Sequence, residues 1–447
     1  MPLYREENFL VIHPGSENTL FSFGLQESLS PPEYKIPSTI YKKDGEFQSK
    51  FEDGCETIKC IKGGKIIDLE GFKYLLKLIL QSVIAQNPIV TINQIPLLII
   101  SPSKCWSKFQ IEQITKYVIE DLEFSGFNIL DLSIACGFGV GNGVSSLVVN
   151  LGKESMQISP VIGYSNIKFA SKYIPKGSNL INEELKKLLP QYTDDQIEAL
   201  KTSKIFEVMN SEENSFYSIA DLNKVDEGMD EDSKYDIAKL VTDEVKPEEE
   251  DEKLNHELER NSFEFNGDKI TVGKERFQGT GPLIDLIASE IYKVLLHIPD
   301  LEKRQECFDN LILVGSTFKI PGFKHNLLTT LSYNYLIRTP QQQQQQKEMG
   351  INSAIAAYQQ SDDVVETTDG EFILSQVPNS IKLVKYPDYF PEWKKPKGGS
   401  WEDVYFLGGQ IYAKQIFGGN SNANGELFVD GDNYEENGPE VIWSCTL

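Results

Sequence analysis

Two kinds of residue in this chain of 447 could do chemistry: glycines placed where backbone must come close to something, and an aromatic–basic run beside them. The stretch Val404–Phe417, VYFLGGQIYAKQIF, reads as an apolar strand that ends on Gly408-Gly409 and passes straight into a helical pattern. Strand, glycine pair and helix start would make a backbone cradle. Glycine permits close approach, and the first helical turn leaves N–H groups without partners. Such a cradle suits a ligand or a partner. Leading into it are Lys382, Lys385, Lys394, Lys395 and Lys397 among Tyr386, Tyr389, Phe390 and Trp393. That mixture resembles a nucleic-acid patch. The reading favoured here is a packed, proline-stiffened connection whose lysines face water.

Elsewhere the chemistry is thin. Cys55, Cys60, Cys105, Cys136, Cys307 and Cys445 are scattered and form no CxxC, so neither zinc nor a disulfide framework is expected. Acids outnumber bases, 67 to 43, for a net charge of −24. This argues against a general nucleic-acid surface and for basic partners. The start, MPLYREEN, is charged at once and has no signal-peptide pattern, and the apolar runs are too short to span a bilayer. A soluble, intracellular protein in a reducing compartment is expected, with more than one domain at this length.

The elements that must position these residues follow from periodicity. Asn8–Ile12 and Thr19–Gly24 read as two strands joined by a turn, His13-Pro14-Gly15-Ser16. A further short strand is expected at Ile36–Tyr41 and an exposed loop or small appendage over 42–62. Phe72, Leu75, Leu76, Ile79, Leu80, Val83 and Ile84 keep helical spacing. Leu97–Ile100 reads as a buried strand, and Ser107…Gln110 as a capping box that opens a helix through Ile111, Ile114, Val118 and Leu122. The theme then restarts. Ser145–Asn150 is a strand, Leu151-Gly152-Lys153-Glu154 a turn, and a return strand reaches Ile162. Helices follow from Ser178, with Ile181, Leu185, Leu188 and Leu189 on one face, and from the box Thr193…Gln196. Leu311–Val314 is a strand before Gly315-Ser316-Thr317, and a helix begins at Pro321. An α/β protein of two halves results, each opened by a strand–turn–strand unit.

Two inserts interrupt the pattern. Residues 211–260 carry a net charge of −12 and few aromatics, and residues 340–371 contain Gln341–Gln346. The first composition predicts disorder or a loose surface helix, and the second predicts disorder. The expected division is 1–144 with 372–447 as one large domain and 145–339 as the other.

Four motifs in order resemble the actin family: ILVGSTFKIPGF at Ile312–Phe323, FLGGQI at Phe406–Ile411, YEENGPEV at Tyr434–Val441 and VGKERF at Val272–Phe277. The resemblance covers essentially the whole chain and implies the actin/Hsp70/sugar-kinase-like two-domain α/β fold. That fold grips phosphates between two hairpin turns. Two further segments, Ile181–Val208 and Ser380–Lys395, resemble those of the actin-related subunits of SWI/SNF and RSC chromatin remodellers.

The resemblance places phosphate-contacting positions at Gly15, Ser16, Gly152, Lys153 and Gly315. It also shows departures. The metal-side aspartate falls on His13 and glycines fall on Glu17 and Glu154. Aspartates fall on Asn150 and Lys153, the hydrolysis-assisting histidine on Gln157, and a glycine on Ser316. Loss of the acids removes Mg²⁺ affinity, and Glu17 and Glu154 would repel phosphate at about 1 kcal/mol or more each. Lys153 would attract it. The expectation is a vestigial site with no catalytic residue, no metal and no cofactor, weak ATP binding being the alternative left open. His13 is expected to be a turn residue capping its own loop.

For partners the resemblance implies a cleft that receives an amphipathic helix, with Tyr164, Tyr412 and Phe417 at the matching positions. The alternative for each is a plain core aromatic. The implied guests are the basic helicase/SANT-associated helix of a remodeller ATPase and a second actin-related protein, with other remodeller subunits beside them. The acidic insert is a candidate contact for histones, and its ordinary reading is a solvated loop. No membrane and no direct DNA contact are expected, and the implied location is the nucleus. The competing readings are an active nucleotide-binding ATPase and a cytoskeletal actin-related protein.

Overall fold

The computed structural model describes residues 4–25, 29–141, 143, 145–209, 255–336, 363–366, 372–375, 377–394, 400–418 and 427–446. Contacts sort the chain into two compact units. The first is Met1–Gly177 with Glu290–Thr317 and Leu336–Leu447, and the second is Ser178–Ser289 with Phe318–Tyr335. This grouping puts residues 145–177 and 290–317 with the first unit, so it does not follow the boundary at residue 144 expected from the sequence.

The first unit begins with strands β1 (Leu10–Pro14), β2 (Asn18–Phe23) and β3 (Tyr34–Pro37). Strands β4 (Thr39–Lys43), β5 (Glu46–Gln48) and β6 (Glu56–Lys59) follow, then a small hairpin of β7 (Ile61–Lys62) and β8 (Lys65–Ile66). Helix α1 (Leu69–Gln86), strand β9 (Pro96–Ser101), helix α2 (Lys108–Lys116), strand β10 (Gly126–Asp131) and helix α3 (Leu132–Val140) complete a first layer set. Strands β11 (Ser146–Leu151) and β12 (Met156–Ile162) open a second.

Its first sheet runs β10-β9-β1-β2-β3. β1 is antiparallel to β2 and parallel to β9, and β10 is parallel to β9. All five residues of β1 and all six of β9 are buried, as expected of strands covered on both faces. Alternation divides them. Leu10, Ile12, Leu97 and Ile99 join a core with Phe72, Leu75, Leu76, Ile79, Leu80 and Val83 of α1. Phe9, Val11, Leu98 and Ile100 face the other way, into a core with α3 and the Val404–Phe417 helix. The sequence legibly predicts α1, whose N-cap Asp68 accepts from Gly71 N–H, and the Ser107/Gln110 capping box of α2. It does not predict β10 or α3.

The segment 42–62 is a small appendage rather than a loop. β4, β5 and β6 form a three-stranded antiparallel sheet, ordered β5-β4-β6. Its polar residues conceal alternation because both faces are largely open, so only Ile40 on β4 is buried.

The second sheet of this unit repeats the opening theme. β11 and β12 form an antiparallel hairpin, and strand Leu311–Val314 runs parallel to β11. Short strands at Ser165–Asn166 and Lys172–Ile174 both pair with β12.

Val404–Phe417 is one continuous helix, not a strand turning into a helix. Gly408 and Gly409 lie inside it. A Cβ on Gly408 would sit 1.7 Å from the Ala135 carbonyl oxygen of α3, and one on Gly139 of α3 would sit 2.3 Å from the Val404 carbonyl oxygen. Gly409 faces β9, where a Cβ would meet Ile100 Cδ1 at 2.4 Å. The glycines therefore serve backbone-to-backbone helix packing, which corrects the expected cradle. A helix interior has no free N–H groups to offer a ligand.

The second unit holds helices Asn179–Leu188 and Asp194–Thr202, the hairpin Asn261–Phe265/Asp268–Val272 and helix Phe323–Tyr335. The Thr193/Gln196 capping box is formed. Ile181 and Leu185 are buried as expected, whereas Leu188 is 43% exposed, off the buried face. Arg276 of the VGKERF segment is fully buried. Its guanidinium donates to the carbonyl oxygens of Gly273, Asn255 and Leu258 and to Asn255 Oδ1.

The inserts lie mostly outside the described residues: 210–254 of the acidic one, and 340–362 with 367–371 of the glutamine-rich one. The described parts are ordered, against expectation. Asn255–Glu257 forms a helical turn held by Arg276, and Asp363–Glu366 pairs antiparallel with Phe372–Ser375. Composition averages over a segment and misses these short anchored ends.

Candidate functional site

The two hairpin turns expected to hold phosphate both belong to the first unit, and a third turn joins them. Gly15 N–H donates to Asn18 O at 3.1 Å and closes the β1–β2 turn, and Gly152 N–H donates to Ser155 O at 2.9 Å and closes the β11–β12 turn. Gly315 adopts φ +112°, where a Cβ would be 2.3 Å from Leu151 O, so this glycine is required by a close backbone approach to β11.

The third turn is Gly63-Gly64, between β7 and β8. Their φ values are +55° and +77°, the pair of left-handed residues that a tight two-residue hairpin needs. Both glycines are buried, and all four of their backbone polar groups are paired. Gly63 N–H donates to Glu154 Oε2 at 3.0 Å, and Gly64 N–H to Ser16 Oγ at 2.9 Å. Gly63 O accepts from Ser155 Oγ at 2.9 Å and from Tyr173 OH at 3.1 Å. Gly64 O accepts from Trp106 Nε1 at 3.1 Å. Ser16 and Glu154, one from each turn, thus converge on one small hairpin. The sequence signal for it was a Gly-Gly pair between lysines; residues 42–62 were read as irregular up to its edge.

Charge is balanced across the turns. Glu17 Oε1 lies 3.1 Å from Lys59 Nζ and 3.8 Å from Lys153 Nζ. These side chains are 39%, 49% and 32% exposed, so water screens the pairs and each is worth a fraction of a kcal/mol up to about 1. Lys153 therefore has an internal counter-ion, and Glu17 is not an unopposed negative charge.

His13 sits on β1 rather than in the turn. It is buried, its Nδ1–H donates to Ile100 O on β9 at 3.0 Å, and its ring lies 4.6 Å from that of Tyr405. Burial drives its pKa down from 6.5 to about 4, with the Ile100 carbonyl and Asp403 opposing. A neutral imidazole with Nδ1 committed to a backbone carbonyl is a sheet-bridging residue, which corrects the expected self-capping role. Asn150 donates to Gln157 Oε1 at 2.7 Å, and Gln157 Nε2 to Ser155 Oγ at 3.0 Å. The positions where the resemblance expects metal-side acids and a hydrolytic histidine thus form an amide–hydroxyl chain that ends on Gly63.

These residues do not fit a magnesium nucleotide. No carboxylate stands at 13 or 150, and the two carboxylates present are turned to Gly63 N–H and to lysines. Among the described residues no group of three His, Cys, Asp or Glu side chains comes together to hold a metal. The cysteines are free, and burial pushes the Cys60, Cys105 and Cys307 thiols up to about 12, where they are neutral.

Two of the three aromatics expected to line a partner groove meet Phe138 of α3. Tyr164, half-buried with φ +59°, stacks on Phe138 of α3 with ring centroids 4.8 Å apart, and Phe138 meets Tyr412 at 5.2 Å. The Tyr164 ring lies over Gly137 and Gly143, with carbons 3.6 Å and 3.5 Å from where a Cβ would be, an ordinary contact distance. Phe138 was not anticipated; its place on a short glycine-rich helix gave no periodic signal. Tyr412 is 4% exposed, so only its neighbours present surface. Phe417 is fully buried against Phe9, Phe428 and Tyr4 and lines no groove, a correction that follows from its position in the last turn of the helix beneath β1. Beside α3, the aromatic–basic run is packed: Tyr386 stacks on Trp401 at 4.7 Å, and the buried Trp393 donates its Nε1–H to Leu29 O at 2.9 Å. Lys382 and Lys385 are exposed, as the packed-connection reading requires. Tyr389 is 69% exposed.

The family model described as Actin matches residues 5–351 of the chain. The chain is similar to a fission-yeast (Schizosaccharomyces pombe) protein named "SWI/SNF and RSC complexes subunit arp9", with 24% identity over 542 aligned positions that cover 99% of each chain.

Proposed function

The chain belongs to the actin family, and from that premise we propose that it is a non-catalytic structural subunit of an ATP-dependent chromatin-remodelling complex, acting in the nucleus. End-to-end similarity to a subunit of the SWI/SNF and RSC complexes supports the assembly. The observation that carries the non-catalytic half is the pairing of Ser16 and Glu154 with the Gly64 and Gly63 amides, in a site without metal-side acids. Such a subunit contributes surface rather than chemistry. Its guest is the helicase/SANT-associated helix of the remodeller ATPase, shared with a second actin-related protein. Tyr164 and its stacking partner Phe138, both half-buried, give that helix an aromatic pair to dock on, suited to anchors spaced by three and four residues. A basic helix also matches a chain of net charge −24.

Co-expression with that helix and a second actin-related protein, followed by size-exclusion chromatography, tests the reading. Co-elution is expected, and Tyr164→Asp should weaken it about tenfold or more, because a carboxylate would be buried against Phe138. Failure of the wild-type chain to co-elute would overturn the proposal.

A further inference from the structure

We propose that the Gly63-Gly64 hairpin is a built-in latch that takes the place of a bound phosphate, holding the β1–β2 and β11–β12 turns together with the chain's own groups. This rests on the non-catalytic half of the function proposed above and not on the identity of the partner.

Turns that bind phosphate work by keeping N–H and hydroxyl donors open to an anion. Here the anion is supplied from within. Glu154 brings a carboxylate to Gly63 N–H, as a phosphate oxygen would come to a backbone amide. Ser16 accepts from Gly64 N–H, so its hydroxyl oxygen is engaged by the third hairpin. The carbonyls of the same two glycines are filled by Ser155, Tyr173 and Trp106, which fixes the hairpin's orientation. The fit is close on the outside as well: a Cβ on Gly63 would lie 2.9 Å from Tyr173 Oη, and one on Gly64 3.0 Å from Cys105 Sγ. Lys65 Nζ stands 4.3 Å over the Tyr173 ring and covers that flank. Glu17 lies between Lys59 and Lys153, so the local charge is closed without a ligand. A nucleoside phosphate entering here would have to displace Glu154 from an amide and approach a second carboxylate.

Hydrogen exchange on the full-length chain, read by mass spectrometry over a peptide spanning residues 60–67, reports these amides directly. In the wild-type protein the Gly63 and Gly64 amides are expected to exchange slowly, with no change on adding millimolar Mg·ATP. Glu154→Ala and Ser16→Ala should each speed exchange in that peptide about tenfold or more while α1 and β9 keep their protection. Glu154→Gln, which keeps an acceptor oxygen but loses the charge, should fall between wild type and Glu154→Ala, which shows that the effect belongs to the hydrogen bond and its charge rather than to loss of fold. Unchanged exchange in both alanine variants would overturn the latch. So would added protection of residues 60–67 by Mg·ATP in the wild-type chain, since a ligand would then be doing the work assigned to Glu154. Helix co-elution measured on the same samples reports on the partner reading alone.

Discussion

Lowering the pH from neutrality asks the unfolded chain, but not the folded one, to take a proton at His13. The folded value of about 4 lies below the ordinary 6.5, so the contribution of neutral His13 to stability is complete above about pH 6.5 and falls as pH drops toward 4. Below that, both states are protonated and the loss levels off. A gap of this size is on the order of 3 kcal/mol. Urea denaturation of wild type and His13→Asn across pH 4–7 should therefore give curves that diverge through this window, with the variant flatter; parallel curves would show that His13 is not buried neutral. The role of this residue was hidden in the sequence because its partner, Ile100, is 87 residues away. The loss of metal-side acids was legible from residue types alone. What Asn150, Gln157 and Glu154 do in their place was not, since each answers to a neighbour brought by folding.

Helix packing rather than strand propensity decides the fate of Val404–Phe417. Val404, Tyr405 and Phe406 favour strands on their own, yet all are buried in a helix that crosses α3 through Gly408 and Gly139. Tertiary burial outweighs a propensity difference of about 1 kcal/mol across the segment. Gly408→Ala would push a methyl into the Ala135 carbonyl, a backbone atom that cannot rotate away, so a loss of about 3 kcal/mol or more is expected by thermal denaturation. Gly431→Ala is the control: a Cβ there meets nothing within 4 Å, and the change should be near neutral. Elements with their own local signals, such as the α1 stripe and the two capping boxes, were legible. β10 and α3 were not, because the first, GFNILD, mixes Gly, Asn and Asp into a six-residue run and the second is too short and too rich in glycine to show a stripe.

Across the whole molecule, distant parts of the chain share one core. Trp393, fully buried, bonds Leu29 across 364 residues, and Phe406, Phe417 and Phe428 pack with Phe9, Val11, Leu98 and Ile100. Trp393→Ala should remove about 3–5 kcal/mol and leave the Leu29 carbonyl unpaired, measured as a lowered midpoint in urea with an unchanged slope. The duplicated hairpin theme and the α/β class were legible at this scale because turn chemistry and periodicity repeat in the sequence. The grouping of residues 145–177 with the first unit was not, since it depends on contacts such as those of α3 with β11 and β12. The sharing of that core has a consequence for biosynthesis. Synthesis makes β1, β9 and α3 well before the Val404–Phe417 helix, so the face made by Phe9, Val11, Leu98 and Ile100 has α3 early but lacks its second helix while some three hundred further residues are made. This core can therefore close fully only after most of these elements have been made.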